Sequence, residues 1–557
     1  MSSTESAAER EARAAAKIAR KEARRAERKE AKRAAKAAKR GISKQDKAEF
    51  EEAQQKKKEN STAWREEKSE RSKNAGGYNG SRKSDRNIYN RRNGNATAED
   101  EMDARMDAAI EFIKVNQKHL GAVIEDFAEV GDPRHQSYIT YSVPELLLFG
   151  LLTFMFHAES KRGSNAMLSP VMLRNISEFF PQIGKFPHAD TLGNFLREID
   201  ADEIEEVKLK LIRRLLRSKA LDAFKIDGAL RIAIDGVHKF TLGHEWCQNA
   251  LVHKVSGKPE EVKKYLAYAV ELSIVLPDGH TLPVMTEFID RAEYGDCGTD
   301  TAKAKQDCET NAAKRLIARF RDRFPCLKVA LLADGLYATG PMLQLCLEKD
   351  IDPMFTLQEK SLPSVWEEVN AHIASRMCGE VPAVEINDVE QKFIYVNDIV
   401  YEYGDDKRCI TLHVAICKES RREFNKKTGV VESTASTFSW VSLRRFSDRN
   451  VMPRCNKIGR PRWSIEVQND IEKNDGYAYT HCFSQDWEAM RAYHFLMQIA
   501  YILNVITLFS TKLVHIVKAM GSTQAIRHLW EIFDGTILDH AAMRERIPDK
   551  YQIRWAI

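Results

Sequence analysis

The sequence lacks the features of membrane-spanning and disulfide-rich secreted proteins. Its ten cysteines, in a chain of 557 residues, fall at irregular spacings and include no C-x-x-C pair. This pattern predicts reduced thiols in a cytoplasmic protein rather than a disulfide framework. The most apolar runs, "LLLFGLLTFMF" from Leu146 and "FLMQIAYILNVITLF" from Phe495, are shorter than the ~18 residues of a membrane span. We therefore expect buried helices and no membrane partner.

The net charge is also small, +5 at pH 7, but the charged residues are unevenly distributed. Residues 9–40 are almost entirely Ala, Arg, Lys and Glu, so no buried face can form there. We expect a solvated helix or a disordered tail, with a nonspecific nucleic-acid arm as the alternative. A Gly-, Asn- and Ser-rich linker follows and ends near Ala96. Residues 1–95 are therefore predicted to lie outside any folded domain.

Periodicity divides the remaining chain into five regions. Helical spacing dominates before residue 227, β-type alternation dominates between residues 359 and 452, and helical patterns resume from Trp463. The regions are an all-helical N-terminal domain (96–226), the first part of an α/β core (227–358), a β-rich insertion (359–452), the second part of the core (453–520) and a C-terminal helical segment (521–557).

The order of elements in the core predicts a ribonuclease H-like fold. "ALRIAIDG" reads as a strand, and "YLAYAVELSIVLPDGHTLPVMTEFID" reads as two strands joined by a turn. A helix then leads into "LKVALLADG", an apolar run typical of a strand buried on both faces. An antiparallel meander followed by a crossover to a parallel strand is the arrangement of that fold.

Two aspartates occupy comparable positions in this core. Asp235 and Asp334 each stand at or near the end of a predicted strand, and each precedes a glycine. Neighbouring parallel strands would bring the two carboxylates together, which is costly unless a cation lies between them. Oxygen ligands favour Mg²⁺ or Mn²⁺, and two such ions about 4 Å apart clamp the attacking and leaving oxygens of a phosphodiester.

A third carboxylate, Glu466, completes the predicted metal site. In "RWSIEVQNDIEK", the side chains of Arg462, Glu466 and Lys473 fall on one helical face, so a metal ligand would stand between two phosphate-binding cations. The alternatives are an Asp-Gly turn for each aspartate and a surface ion-pair row for the helix. The joint occurrence of all three features favours the site.

Further cations precede this helix, at a density that indicates contact with a DNA backbone. The predicted DNA-binding residues are Arg444, Arg445, Arg454, Lys457, Arg460, Arg462 and Lys473. Trp463 is predicted to be a core residue, with base stacking as the alternative. Asp307 and Glu309, in "QDCE", are assigned to helix capping or to solvent.

The three acids and the R-(3)-E-(6)-K spacing resemble the DDE transposases of bacterial insertion sequences, a group with a Y-(2)-R-(3)-E-(6)-K signature. "KQDCETNAAKRLIARFRDRFPCLKVALLADGLYATGP" resembles the stretch around their second aspartate, and "PHADTLGNFLREID" resembles their N-terminal region. The signature tyrosine is replaced by Gly459. The resemblance extends from about Val143 to Leu508.

This resemblance implies a magnesium-dependent endonuclease and strand transferase with Asp235, Asp334 and Glu466 as catalytic residues and metal ligands. It implies transposon ends and target DNA as substrates, a homodimer on DNA, DNA contact by region 96–226 and a nucleoid-associated location in the cytoplasm. Two alternatives stay open. One is a ribonuclease H-like nuclease without strand transfer, and the other is a catalytically inactive, transposase-derived DNA-binding protein.

Overall fold

The structure is a computed structural model that describes residues 52, 55–67, 97–254, 263–291, 301–425, 428–547 and 552–556. The predicted helix at residues 9–40 and the linker before Ala96 lie outside these residues. The chain forms two compact units. The smaller unit contains helical residues 55–67 with the segments Glu385–Glu390 and Glu419–Ser436. Within it, Arg422 pairs with Glu67 at 3.1 Å.

The larger unit begins with helices whose ends follow from local sequence. Ser142 and Glu145 form a reciprocal capping box, with a proline in the first turn of the same helix, and Asp200 caps another helix. Within the larger unit, six described α-helices precede the first described strand: α1 (Ala98–Phe127), α2 (Val143–Met155), α3 (Lys161–Met167), α4 (Pro170–Ser177), α5 (Ala189–Phe195) and α6 (Ala201–Arg217).

A mixed sheet follows and confirms the mixed α/β architecture. Its first six described strands are β1 (Leu230–Leu242), β2 (Leu251–Lys254), β3 (Lys263–Val275), β4 (Thr281–Phe288), β5 (Val329–Ala333) and β6 (Asp352–Thr356). Helix α7 (Thr301–Arg323) lies between β4 and β5 in the chain, and helix α8 (Gly340–Glu348) lies between β5 and β6. Strand β3 pairs antiparallel with β1, β2 and β4. Strand β5 runs parallel to both β1 and β6.

The β-rich insertion extends this same sheet. After α9 (Pro363–Ala374) come β7 (Gly379–Ile386), β8 (Val389–Tyr403), β9 (Arg408–Phe424) and β10 (Val431–Ser442). Strand β10 pairs antiparallel with β6, with Val441 opposite Phe355. The described strands are ordered β2-β3-β1-β5-β6-β10-β9-β8-β7, and β4 also pairs with β3.

The last helices cover the sheet and join the first ones. They are α10 (Ser464–Asn474), α11 (Trp487–Leu508), α12 (Val514–Met520), α13 (Ser522–Gly535) and α14 (His540–Arg546). Helix α11 is buried over most of its length and packs against α2 and α6, so one apolar core includes helices from both ends of the chain. Across the described ranges, no helix is long and apolar enough to cross a membrane.

Candidate active site

The sheet register places Asp235 and Asp334 side by side. Ala233 of β1 is paired with Leu332 of the parallel strand β5, and each aspartate lies two residues farther along its own strand direction. Because side chains alternate between the two faces of a sheet, each aspartate lies on the same face as the residue two positions before it. Adjacent strands are about 4.8 Å apart. The two carboxylates therefore lie side by side, as the sequence predicted. The prediction that the strand ends at Asp235 is wrong, because β1 continues to Leu242 and Asp235 lies inside it.

The surroundings make the ionised form of Asp235 unfavourable. Burial and then the nearby charge of Asp334 raise the pKa of this carboxyl to about 7, and Arg462 opposes the shift. Glu309 and Glu466 also contribute negative charge. Both aspartates accept local backbone N–H groups: Asp235 Oδ1 from Gly236 at 3.0 Å, and Asp334 Oδ1 from Leu336 at 2.9 Å. Asp235, Asp334 and Glu466 thus lie near one half-buried position, and Glu309 adds its charge from the opposite face of the sheet.

Glu466 reaches this position from the first turn of α10. A π-helical turn (Arg454–Gly459) and a 3₁₀ turn (Arg460–Trp463) lead directly into that helix. The apolar residue Ile465 packs with Ala233 and Leu332, so the start of α10 lies on the aspartate-bearing face of the sheet. Arg462 donates a hydrogen bond to Glu466 Oε1 at 2.7 Å. The predicted spacing therefore produces an ion pair beside the two aspartates.

The donor chemistry of this cluster fits a divalent cation. Carboxylate oxygens are the ligands that Mg²⁺ and Mn²⁺ prefer, and a cation would relieve the repulsion that raises the pKa of Asp235. In the described part of the chain, however, no three His, Cys, Asp or Glu side chains already converge at ligating distance. Glu466 is instead turned toward Arg462. Its carboxylate must leave that partner, or share it, before it can act as a ligand.

Glu309 is a member of the cluster that the sequence analysis assigned to capping or solvent. That assignment is wrong, because the side chain is only 6% exposed. Its two carboxylate oxygens accept hydrogen bonds from Tyr268 Oη at 2.6 Å and Tyr337 Oη at 3.0 Å. The neighbouring acid of the "QDCE" motif, at position 307, has no described side chain.

Five of the predicted DNA-binding cations retain partial or full exposure, and Arg460 is one of them. Arg444 and Arg445 are exposed and lie near Asp352 and Asp398, respectively. Lys457 is exposed. Lys473 is half-buried and lies 5.9 Å from the centre of a tyrosine ring. These side chains are placed where a polyanion could reach them.

Arg454 is placed differently, because its side chain is buried. Its guanidinium donates to Asp352 at 3.0 Å and to Ser442 Oγ at 2.8 Å, and it lies over the ring of Phe446. A buried arginine that already has a carboxylate partner stabilises the fold and does not reach a DNA phosphate in this conformation. The structure therefore gives no support to Arg454 as a DNA contact.

Gly459 and Arg460 pack against aromatic residues of β10. A Cβ atom at Gly459 would lie 2.6 Å from Trp440 Nε1, so no larger residue fits unless the indole moves. The guanidinium of Arg460 lies 4.6 Å from the centre of the Phe438 ring. Trp440 of β10 therefore takes up the space that the side chain of the signature tyrosine would need.

Trp463 is not a core residue, contrary to the sequence-based prediction. Its side chain is 61% exposed, and the guanidinium of Arg462 lies 4.9 Å from its ring centre. The residue belongs to the 3₁₀ turn, where the buried side is taken by Arg462. An exposed indole thus stands three residues before Glu466.

Residues 124–212 match the family model described as DDE_Tnp_1-associated. The match includes the stretch "PHADTLGNFLREID" and supports a DDE-type DNA transposase. No curated protein matches the chain. One solved structure, the cryo-EM piggyBac transposase synaptic complex with hairpin DNA, is 10% identical, with 78% of this chain and 81% of that chain covered and a TM-score of 0.33. A TM-score of this size does not establish a common fold.

Proposed function

We propose that the protein is a DDE transposase that cleaves DNA at the ends of an insertion sequence and joins the freed ends to target DNA. The observation that carries the proposal is the shared register of Asp235 and Asp334 on parallel strands, with Glu466 beside them. The match of residues 124–212 to a DDE transposase-associated model supports it independently. The resemblance in sequence adds the R-(3)-E-(6)-K spacing.

The strand order supports a ribonuclease H-like core. Strands β4, β3 and β1 form the antiparallel part, and β5 and β6 continue it in parallel with β1. Active sites of open α/β sheets lie beyond the carboxyl ends of parallel strands. Asp334 lies directly beyond the end of β5, which is where the proposed chemistry needs it.

Asp235, Asp334 and Glu466 would hold two Mg²⁺ or Mn²⁺ ions. Bound there, the ions would activate the attacking oxygen and neutralise charge on the leaving oxygen of a phosphodiester. The contribution of this chain is positioning, since phosphoryl transfer depends mainly on orientation and charge stabilisation. Arg462 restrains Glu466 through their ion pair, and because Arg462 is itself buried it does not reach a DNA phosphate in this conformation.

The surface around the site suits DNA. We assign phosphate contacts to Arg444, Arg445, Lys457, Arg460 and Lys473, and a base or sugar contact to the exposed ring of Trp463. Arg462 is left out because, like Arg454, it is buried and already has a carboxylate partner, Glu466. The joining of two element ends requires two copies of the site, so we expect a homodimer on DNA. The protein would then act at the nucleoid, in the cytoplasm.

The test is an assay of nicking and joining with supercoiled plasmid that carries the segments flanking the coding sequence, in Mg²⁺ or Mn²⁺. Asp235→Asn, Asp334→Asn and Glu466→Gln should each lower both activities by about 10³-fold or more, because each removes a charged ligand. Asp470→Asn is the matched control, since this acid is exposed on the same helix. It should retain activity.

Three results would change the proposal. Cleavage without joined products would identify a nuclease of the same core. Tight DNA binding without any cleavage by the wild-type protein would identify a DNA-binding relative that has lost catalysis. Full activity in any of the three acid variants would remove that residue from the site.

A further inference from the structure

Glu309 is a buried carboxylate with two tyrosine partners from distant parts of the chain. Tyr268 belongs to β3 and Tyr337 follows β5, and both hydroxyl groups donate to the carboxylate. Burial, followed by the charge of Glu309, raises the pKa of each tyrosine well above its usual value. The two phenols therefore stay protonated, and they remain hydrogen-bond donors.

The carboxylate presses against the backbone directly after Asp235. A Cβ atom at Gly236 would lie 2.4 Å from the Glu309 carboxyl carbon and 2.5 Å from Tyr268 Oη. Only glycine leaves room for this contact, because real Cβ atoms do not approach other atoms so closely. Gly236 faces the side of the sheet opposite to Asp235, since side chains alternate along β1.

The same group also fixes the segment that carries Asp334. The backbone N–H of Tyr337 donates to the Asp334 carbonyl oxygen at 3.2 Å, which closes a tight turn. Tyr337 is fully buried and its hydroxyl binds Glu309 Oε1. A single carboxylate on α7 thus links β3, the backbone after Asp235 and the turn at Asp334.

Glu309 acts on the two aspartates through the backbone that carries them, at Gly236 and, through Tyr337, at the turn after Asp334. Residues that hold metal ligands in place from the outer shell typically change metal affinity 10- to 100-fold when they are replaced.

From this geometry we infer that Glu309, held by Tyr268 and Tyr337, is a positioning residue of the cation site. It fixes the backbone at Gly236 and the turn at Asp334, so that the two aspartates present their oxygens to one divalent cation. This inference rests on the proposed function, because it requires that Asp235 and Asp334 bind a metal ion.

The test measures Mn²⁺ affinity by electron paramagnetic resonance on the full chain, together with the melting temperature. Glu309→Gln should weaken Mn²⁺ binding about tenfold or more. Tyr337→Phe should weaken it in the same direction and to a smaller extent, because one donor is lost and the charge is kept. Raised Mn²⁺ should restore cleavage in Glu309→Gln and should not restore it in Asp235→Asn.

Glu145→Gln is the matched control. Its carboxylate is also buried and accepts hydrogen bonds at both oxygens, but it lies at the start of α2. It should lower the melting temperature without changing Mn²⁺ affinity.

The outcomes separate the inference from the proposed function. If Asp235→Asn weakens Mn²⁺ binding and Glu309→Gln leaves it within about twofold of wild type, the inference is overturned and the proposed metal site stands. If Asp235→Asn does not change Mn²⁺ binding, the proposed metal site falls and the inference falls with it. If Glu309→Gln does not fold, the affinity of Tyr337→Phe decides, and an unchanged value overturns the inference.

Discussion

A group of half-buried acids and a group of fully buried acids lie beside each other on the sheet, and their surroundings differ. Asp235 of β1 is directly opposite Glu271 of β3 in the antiparallel register. Asp235 belongs to the candidate site with three other carboxylates and Arg462. Glu271 belongs to a buried network with Glu472, Lys208 and Lys239. Neighbouring positions in one sheet thus have different charge balances.

The network around Glu271 contains buried lysines and a hydrogen-bond donor. Tyr479 Oη donates to Glu271 at 2.8 Å, and Lys239 Nζ donates to the Tyr479 carbonyl oxygen at 3.2 Å while it lies over the tyrosine ring. Burial raises the pKa of Glu271, and both Lys208 and Lys239 oppose that shift. The lysines offset the acids in part, since Oε2 of Glu271 and Oε2 of Glu472 have no hydrogen-bond partner among the described residues.

The comparison indicates which buried charges serve the fold and which serve chemistry. In the network, buried lysines lie among the acids. At the candidate site, Asp334 and Glu466 raise the pKa of Asp235, and Arg462 is the cation that opposes the shift. Three predictions test this difference.

The largest stability effect is expected for Lys239→Met. This change leaves Glu271 and Glu472 with less cationic compensation in a buried region, so we expect a loss of about 3–5 kcal/mol in the free energy of unfolding. Urea denaturation measures it. The exposed Lys457→Met is the control and should change stability by less than about 0.5 kcal/mol. A loss below about 1 kcal/mol for Lys239→Met would show that the network is not needed for stability.

Asp235→Asn is expected to change the free energy of unfolding by less than Lys239→Met, and to raise it, when divalent cations are absent. The pKa of Asp235 is raised from 3.8 to about 7 in the folded protein, so the folded state keeps a proton that the unfolded state releases between these values. The carboxyl of Asp235 therefore lowers the free energy of unfolding as the pH rises from about 4 to about 7. Above pH 7 this loss of stability stays constant. The variant should be at least as stable as wild type at pH 8, and its advantage should shrink at pH 5.

The control for this pH comparison is Asp126→Asn. That carboxylate is also buried, but it forms a two-fold hydrogen-bonded pair with Arg214. Its replacement should lower stability at both pH values. A loss of stability at pH 8 in Asp235→Asn as well would contradict the view that the site is under-compensated.

The smallest effect is expected on DNA binding, for a change at the exposed Lys457. Lys457→Gln should weaken DNA binding modestly at every sequence and reduce the slope of log affinity against log salt by about 1, because one phosphate contact is lost. Fluorescence anisotropy at several salt concentrations measures this slope. Lys407→Gln, an exposed lysine at the turn between β8 and β9, should leave it unchanged.

The local sequence pattern was sufficient to predict that Asp235 and Asp334 lie beside each other. Each follows an apolar run of residues in the sequence, and β5 runs parallel to β1, so the two carboxylates lie side by side. The sequence did not show that β1 continues past Asp235 to Leu242. The position of Glu466 after Arg462 was also visible, because the two are one helical turn apart. These features depend on periodicity and chain order, which the sequence displays directly.

Contacts between distant residues were not predictable in the same way. Glu309 is 41 residues from Tyr268 and 28 from Tyr337, and Arg454 is 102 residues from its partner Asp352. A basic run in the sequence does not show which of its cations the fold buries. The one local signal for Glu309 was the glycine after Asp235, which indicates a close approach but not the approaching group.

The most direct test of the central claim is anomalous diffraction at the manganese edge from crystals soaked in Mn²⁺. The account predicts a peak between the carboxylates of Asp235 and Asp334 in the wild-type protein, and its loss in Asp235→Asn. Crystals that diffract well and show no anomalous peak at these aspartates, at Mn²⁺ concentrations that support cleavage, would contradict a metal-dependent active site there.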